Sequence, residues 1–307
     1  MSSISELIEI LDDDIVPIEL PYHSPTADAI YAAFDFAQKG CVCREDRTLN
    51  SPGFFEDRTN PKDVDIFDWP DPAKYISPDE CKRLVSQASP QRVRLGVIWS
   101  AHFQDACAAF GMENALMTLH TAPEMFHAIM NRIVEFYLQA NKIFYSATSG
   151  HLQAVLIGND FGGQQGLMVY PEMIRDFALP GTRKLVDQAK RRGLTVIHHS
   201  CGAIRDIIPD LIEMGVDVIH PIQALAKGMA PAGLRQDFGD KVAFCGGVDA
   251  QELLVRGSPE QVAQAVSELR RTFPTGLIIS PSHEAILPDT PPANIEAMFR
   301  AARKKLS

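Results

Sequence analysis

The stretch GLTVIHHSCGAIRDIIPDLIEMGVDVIHPIQ, residues 193–223, contains the pattern that decides the fold. An apolar run over residues 195–199 is followed by a segment of helical spacing over residues 203–214, and a second apolar run begins after Gly215. Short apolar runs that alternate with helices are typical of parallel strands buried on both faces. A glycine just before a strand is where the C-cap of the preceding helix belongs. The stretch therefore predicts two parallel strands joined by a helix.

The same alternation extends in both directions and predicts a closed barrel. The apolar runs predict strands over residues 93–99, 153–157, 195–199, 216–219, 241–245 and 277–280, with two more near 15–20 and 40–43. Eight such strands would close, so we predict an α/β fold, a (β/α)8 TIM barrel of one domain. An open doubly wound sheet is the alternative, but no glycine-rich phosphate loop follows the first strand.

Two segments of this single domain differ in composition. Residues 1–92 are predicted to hold the early barrel elements and a long loop, rich in Pro, Asp and Asn, that covers the barrel mouth. Residues 93–307 are predicted to form the main barrel body.

The charge and composition exclude some classes of function. The net charge is −10, and Lys and Arg cluster only at predicted helix ends, so we expect no nucleic-acid partner. No run of 18 apolar residues occurs, and the acidic N-terminus lacks the features of a signal peptide. Six scattered cysteines are typical of reduced thiols. We therefore expect a cytoplasmic protein with no membrane segment.

Polar side chains follow the predicted strands at the points where they end. In a parallel barrel the carboxyl ends of the strands and the loops after them carry the catalytic groups. The residues in question are Asn159, Asp160 and Gln164, then His199 and Cys201, then His220 and Gln223, then Cys245 and Asp249, and finally His283 and Glu284. Because five strand ends share this property, we expect one site at the mouth of the barrel.

His199 and Cys201 have the spacing of two metal ligands on one strand. Side chains at i and i+2 of an extended segment point the same way, so this pair can bind one ion. We expect His283 as the third ligand, with Cys245 as its competitor. Two imidazoles and one thiolate suit zinc, and a fourth, open position would make the site catalytic.

Each of these residues also fits a purely structural role. A lone His-x-Cys is a weak signal, because buried cysteine is common as a small apolar residue. His220 and Cys245 fit core positions. Asp160 and Asp249 fit turn or helix-capping positions.

The run from His198 to Gln223 resembles the uroporphyrinogen decarboxylase superfamily, most closely its branch of zinc-dependent methyltransferases that act with corrinoid proteins. Stretches 158–164, 244–251 and 280–295 agree, so the resemblance covers about residues 93–304. It implies a (β/α)8 barrel with zinc held by His199, Cys201 and a further cysteine after the last strand. His283 occupies that last position here, which is a departure from the branch.

The resemblance implies an enzyme that moves a methyl group from a corrinoid protein, or another methyl donor, to a thiol acceptor. Asp160 and Glu284 would then serve as acid and base. The partners implied are a small-molecule substrate, a corrinoid protein and a second copy in a homodimer. The residues expected to bind substrate are Asn159, Gln164, His220, Gln223, Cys245 and Asp249.

Three other functions stay open. The first is cofactor-free decarboxylation of the uroporphyrinogen type, in which Asp160 would balance positive charge on the substrate. The decarboxylases carry an arginine-rich N-terminal motif, and residues 1–60 contain only scattered arginines. The second is a zinc hydrolase or lyase, because zinc also activates water. The third is a non-catalytic partner of a corrinoid protein.

Overall fold

The computed structural model describes residues 4–22, 34–36, 50–283 and 286–304. Seven parallel strands form one sheet, in which every strand is hydrogen-bonded to the next one along the chain. The strands are β1 (Ile15–Glu19), β2 (Val93–Val97), β3 (Ala154–Gly158), β4 (Thr195–His199), β5 (Val218–Ile222), β6 (Ala243–Val248) and β7 (Leu277–Pro281).

The predicted α/β class is confirmed, but a closed eight-stranded barrel is not. The described ranges contain seven strands, and the strand predicted near residues 40–43 lies outside them. Consecutive strand order with helical crossovers is the topology of a barrel, and the seven strands follow it. The fold is therefore an α/β fold built on a curled, seven-stranded parallel sheet.

The curl of the sheet follows from the side chains on its inner face. Residues of six strands, β2 to β7, meet there in one apolar cluster: Leu156, Ile197, Val218 and Cys245, with Leu95, Val97, Ala243 and Ile278 packed against them. At the amino-terminal end of the strands, both edge strands line one cavity of about 640 Å³. Arg303, near the C-terminus, is paired with Asp12 and Asp14 just before β1, so the two ends of the sheet approach each other.

Helices connect the strands and cover the sheet. Within the described ranges, none has the length and apolar character that crossing a membrane requires. The helices are α1 (Ile4–Leu11), α2 (Pro72–Tyr75), α3 (Pro78–Gln87), α4 (His102–Phe110), α5 (Met112–Thr121), α6 (Pro123–Ala147), α7 (Pro171–Met173), α8 (Leu179–Lys190), α9 (Ile208–Glu213), α10 (Pro231–Phe238), α11 (Leu253–Arg256), α12 (Pro259–Thr272) and α13 (Pro292–Arg303). Helical turns of other types are the 3-10 turns Pro61–Ile66 and Arg205–Ile207 and the π-helical turn Ile174–Ala178.

The segment before β2 packs on the helix layer through an aromatic cluster. The rings of Phe55 and Trp69 lie 6.3 Å apart, and Phe55 also contacts Phe110 of α4. Further members of the cluster are Phe34, Phe36, Phe54 and Phe67. The expectation that this segment covers the mouth stays a prediction, because part of it lies outside the described residues.

Most strand boundaries differ from the prediction by one to three residues, and two of the differences have a clear local cause. Strand β5 begins at Val218 rather than at residue 216, because the amide of Val216 still donates to the carbonyl of Leu211 in the last turn of the helix. Strand β6 continues past Gly246 and Gly247 to Val248, because its ladder with β7 is unbroken through this pair. A glycine pair that resembles a turn in the sequence is thus part of a strand.

Candidate functional site

Three side chains with metal-binding atoms meet at the carboxyl ends of β3 and β4. Nε2 of His199 lies 3.1 Å from Oδ1 of Asp160 and 3.5 Å from Sγ of Cys201. The three donor atoms all lie within 4.8 Å of one another. In the ladder Gly158 pairs with His199, so Asp160 follows one strand just as Cys201 follows the other. The i, i+2 spacing and the strand register together bring these donors to one point.

Close packing of the two loops after these strands holds the donors in place. Gly202 has a φ of +79°, and a Cβ added there would lie 2.4 Å from the carbonyl carbon of Gly162. Such a distance is impossible between two packed segments, so the approach requires glycine. Gln223, after β5, accepts a hydrogen bond from the amide of Gly202 at 3.0 Å. The amide of Phe161 donates to the hydroxyl of Ser200 at 3.0 Å.

Asp160 is an ionised carboxylate at neutral pH. Partial burial raises its pKa, but hydrogen bonds from His199 and from the amide of Cys201, at 2.9 Å, outweigh that effect and hold the pKa at about 2. Because an ionised carboxylate accepts hydrogen bonds and binds cations, the site presents a fixed negative charge beside an imidazole and a thiol.

A second histidine, His220, contacts the Nδ1 side of the His199 ring. Nδ1 of His220, on β5, lies 3.0 Å from Nδ1 of His199. Burial, and to a smaller extent the neighbouring histidines His199 and His283, lowers the pKa of His220 to about 3, so the ring of His220 is neutral at pH 7. The indole of Trp99 also contacts the ring of His199 edge to face, with ring centroids 5.2 Å apart.

The structure places some predicted site residues at this point. Asp160, His199 and Cys201 form the donor group, and His220 contacts it. Gln164 and Gln223 lie next to it and hydrogen-bond each other at 3.4 Å. His283 is half-buried and close enough to His220 to affect its pKa, but it is not in the donor group. Its role as third ligand stays a prediction, and Glu284 lies outside the described residues.

The remaining predicted site residues have different contacts. Asn159 is buried, and its side-chain carbonyl accepts the amide proton of Phe103 at 2.7 Å. The carboxylate of Asp249 accepts the backbone amides of residues 251, 252 and 253, as expected of a turn or cap residue. Cys245 lies in the apolar cluster on the inner face of the sheet, where burial raises its pKa to about 12. Substrate binding by these residues stays a prediction.

Two features of the site were not predicted from the sequence. Asp160 was assigned to acid–base chemistry, whereas the structure groups it with the metal-binding atoms. Trp99 was not singled out, although it follows β2 as Cys201 follows β4. The register in which β3 pairs with β4 aligns Asp160 with Cys201. That register cannot be inferred from one sequence, so the sequence did not place Asp160 among the metal-binding atoms.

The donor group fits zinc. A nitrogen, a sulfur and an oxygen donor are all ordinary zinc ligands. In a tetrahedral zinc site the usual bond lengths separate a nitrogen from an oxygen donor by about 3.3 Å and a nitrogen from a sulfur donor by about 3.6 Å. The separations in the structure are 3.1 Å and 3.5 Å. The two separations that involve His199 are therefore close to those that one ion requires, and the third donor pair lies within 4.8 Å.

Comparison with known proteins gives a consistent result. The family model described as uroporphyrinogen decarboxylase (URO-D) matches residues 47–305. A methylated-thiol–coenzyme M methyltransferase of Methanosarcina mazei is 26% identical over 276 residues, which cover 86% of this chain and 68% of that protein. A uroporphyrinogen decarboxylase of Synechococcus sp. strain CC9605 is 28% identical over 187 residues, 59% of this chain and 48% of that protein.

A solved structure has the same fold. A methyltransferase from Methanosarcina mazei superposes with a TM-score of 0.61 at 14% sequence identity. The superposition covers 73% of this chain and 62% of the other, so the chain spans less than two thirds of that protein.

Proposed function

The chain belongs to the uroporphyrinogen decarboxylase family, and from this premise we propose that it is a zinc-dependent methyltransferase that moves a methyl group to a thiol acceptor. The observation that carries the proposal is the group of three donor atoms from Asp160, His199 and Cys201 within 4.8 Å of one another. The similarity to a methylated-thiol–coenzyme M methyltransferase over most of the chain supports the reaction type.

The reaction forms a bond between the acceptor sulfur and the methyl carbon, breaks the bond between that carbon and its carrier, and releases the thiol proton. When bound, zinc would lower the pKa of the acceptor thiol, which makes the sulfur nucleophilic at neutral pH. The methyl donor we propose is a methylated thiol or a methylated corrinoid on a partner protein.

The residues of this chain supply position and charge. His199 and Cys201 would hold the ion from β4, and Asp160 would contribute its ionised oxygen from the loop after β3. A carboxylate with a pKa of about 2 is a weak base, so we assign Asp160 to holding the ion and its ligands rather than to removing the thiol proton. Gln164 and Gln223 border the group and would orient the acceptor.

The proposal is tested by metal content and methyl transfer in the same preparations. Protein purified without chelator is expected to contain one zinc per chain by mass spectrometry. It should methylate coenzyme M or another small thiol when given a methylated thiol or methylated corrinoid. Cys201→Ala should lose both the zinc and the activity. The matched control is Cys107→Ala, which replaces a buried cysteine of α4 and should keep both.

The proposal fails if metal-free protein transfers methyl groups at the wild-type rate. It also fails if Cys201→Ala retains stoichiometric zinc, because the ion would then be bound elsewhere.

A second candidate is cofactor-free decarboxylation, which the similarity to a uroporphyrinogen decarboxylase and the strongly ionised Asp160 favour. The carboxylate would stabilise positive charge that develops on a pyrrole ring of the substrate. This function requires no metal. It would be established if the protein released CO2 from uroporphyrinogen in the presence of a chelator and if Asp160→Asn lost that activity.

A further inference from the structure

We propose that His220 is a positioning residue for the metal centre, because it fixes the ring and the proton position of His199. This inference rests on the proposed zinc site. Its basis is the contact between the Nδ1 atoms of the two imidazoles, 3.0 Å apart, between adjacent strands. His220 is 8% exposed, and His199 is 3% exposed, so both rings are held in the protein interior.

Two imidazole nitrogens at this distance attract each other only if one of them carries a proton. With a proton on both, or on neither, the contact would be repulsive. The pair therefore shares one proton, which belongs either to Nδ1 of His199 or to Nδ1 of His220. The proton on one ring thus determines the tautomer of the other.

The opposite nitrogen of His199 is the one that faces the donor group. Its Nε2 lies 3.1 Å from Asp160 and 3.5 Å from the sulfur of Cys201. In the metal-free protein Nε2 donates a hydrogen bond to the carboxylate of Asp160. To bind a cation, Nε2 must instead present a lone pair, so the ring proton must then lie on Nδ1. His220 is the acceptor for that proton, and a hydrogen bond of this kind orients a ligand histidine and raises its basicity.

The backbone around His199 leaves its ring little freedom. A Cβ added to Gly158 would lie 2.7 Å from the Cβ of His199, so β3 packs directly against this residue. Trp99 contacts the ring edge to face. These contacts limit movement of the ring, and the hydrogen bond to His220 selects the nitrogen that is available to the metal.

The test compares two replacements of His220 by their zinc dissociation constants, measured by competition with a chelating dye. In His220→Asn the side-chain oxygen occupies the position of Nδ1 and still accepts a hydrogen bond. His220→Leu removes the acceptor. We expect zinc binding to weaken about 10- to 100-fold in His220→Leu, as is typical when such a partner is lost, and to stay close to wild type in His220→Asn. Thermal unfolding of both variants verifies that they are folded.

Imidazole nitrogen NMR on histidine-labelled protein provides a readout that does not depend on activity. In the zinc-loaded wild type we expect the proton of His199 on Nδ1 and that of His220 on Nε2. In metal-free protein the signal of Nδ1 of His199 should shift when His220 is replaced by Leu.

The possible outcomes separate the role of His220 from the proposed function. Equal zinc affinity in His220→Leu and the wild type would overturn the positioning role, as would an equal loss in both variants. If the wild type binds zinc but transfers no methyl group, the proposed function fails, and the affinities still test His220. If the wild type binds no zinc, an unchanged Nδ1 signal of His199 in metal-free His220→Leu overturns the positioning role, and a shifted signal supports it.

Discussion

Asp105 is buried on α4, where only 3% of it is exposed, and the hydroxyl of Tyr137 donates a hydrogen bond to its carboxyl at 2.5 Å. Burial raises the pKa of Asp105 to about 7, although the hydrogen bond from Tyr137 opposes this effect. We predict that Asp105→Asn, which cannot ionise but keeps an acceptor for Tyr137, removes a large pH-dependent part of the stability.

The sign and the magnitude follow from linkage. A carboxyl group whose pKa is higher in the folded than in the unfolded protein stabilises the fold fully below the unfolded pKa, and that contribution is lost as the pH rises through the folded pKa. Here the window runs from pH 3.8 to about 7. Each pKa unit corresponds to about 1.4 kcal/mol, so Asp105 alone should lower the free energy of unfolding by about 4 kcal/mol across this window.

The assay is urea unfolding of wild type and Asp105→Asn between pH 4.5 and 7.5. Buried His198 and His220 titrate with the opposite sign, but their effects are common to both proteins and cancel in the difference. The free energy of unfolding of Asp105→Asn should increase relative to that of the wild type as the pH rises. Asp79→Asn is the control, because that carboxylate is almost fully exposed. Free-energy curves of wild type and Asp105→Asn that stay parallel across the range would refute the raised pKa.

Three further substitutions test the site and the core. Gly202→Ala should abolish zinc binding, because the added Cβ would collide with the backbone of Gly162. The control is Gly228→Ala, which has a similar φ of +77° but only the side chain of an arginine nearby, and which should keep the metal. The zinc content of both preparations is measured by mass spectrometry. His198→Leu should raise the free energy of urea unfolding at pH 7 by about 1–3 kcal/mol, because neither ring nitrogen of this buried histidine has a hydrogen-bond partner among the described residues. A lower stability of that variant would contradict the argument. Phe55→Ala should cost about 3–5 kcal/mol in the same assay, since this ring is fully buried in the aromatic cluster; a loss below about 1 kcal/mol would be inconsistent with that packing.

The parts of the site that local spacing determines were predictable from the sequence. The i, i+2 relation of His199 and Cys201 depends only on an extended strand, and the structure places both in the donor group. Asp160 joins them through the pairing of β3 with β4, which depends on the three-dimensional register. The sequence places Asn159 beside Asp160, but only the packing of α4 shows that its side chain is used to hold the amide of Phe103.

The fold class was predictable for a similar reason. Apolar runs and helical periodicity identify β3, β4 and β7 because each lies between clear helical segments. Closure into a barrel is not determined by such local patterns, because it depends on how the two edges of the sheet meet. The end of β6 was also missed, because a glycine pair is typical of a turn in a sequence. In the structure Gly246 and Gly247 have positive φ values, as turn glycines do, yet remain in the ladder.

All three donor atoms belong to two consecutive βα units, those that begin with β3 and β4. Among the described residues, the loop after β6 contributes no atom to this triangle, so its length and composition can vary without altering it. The atoms proposed to hold the ion are thereby encoded in one continuous part of the chain. A library randomised in that loop, where Asp249 is predicted to bind substrate, should therefore alter substrate selectivity on an unchanged ion site.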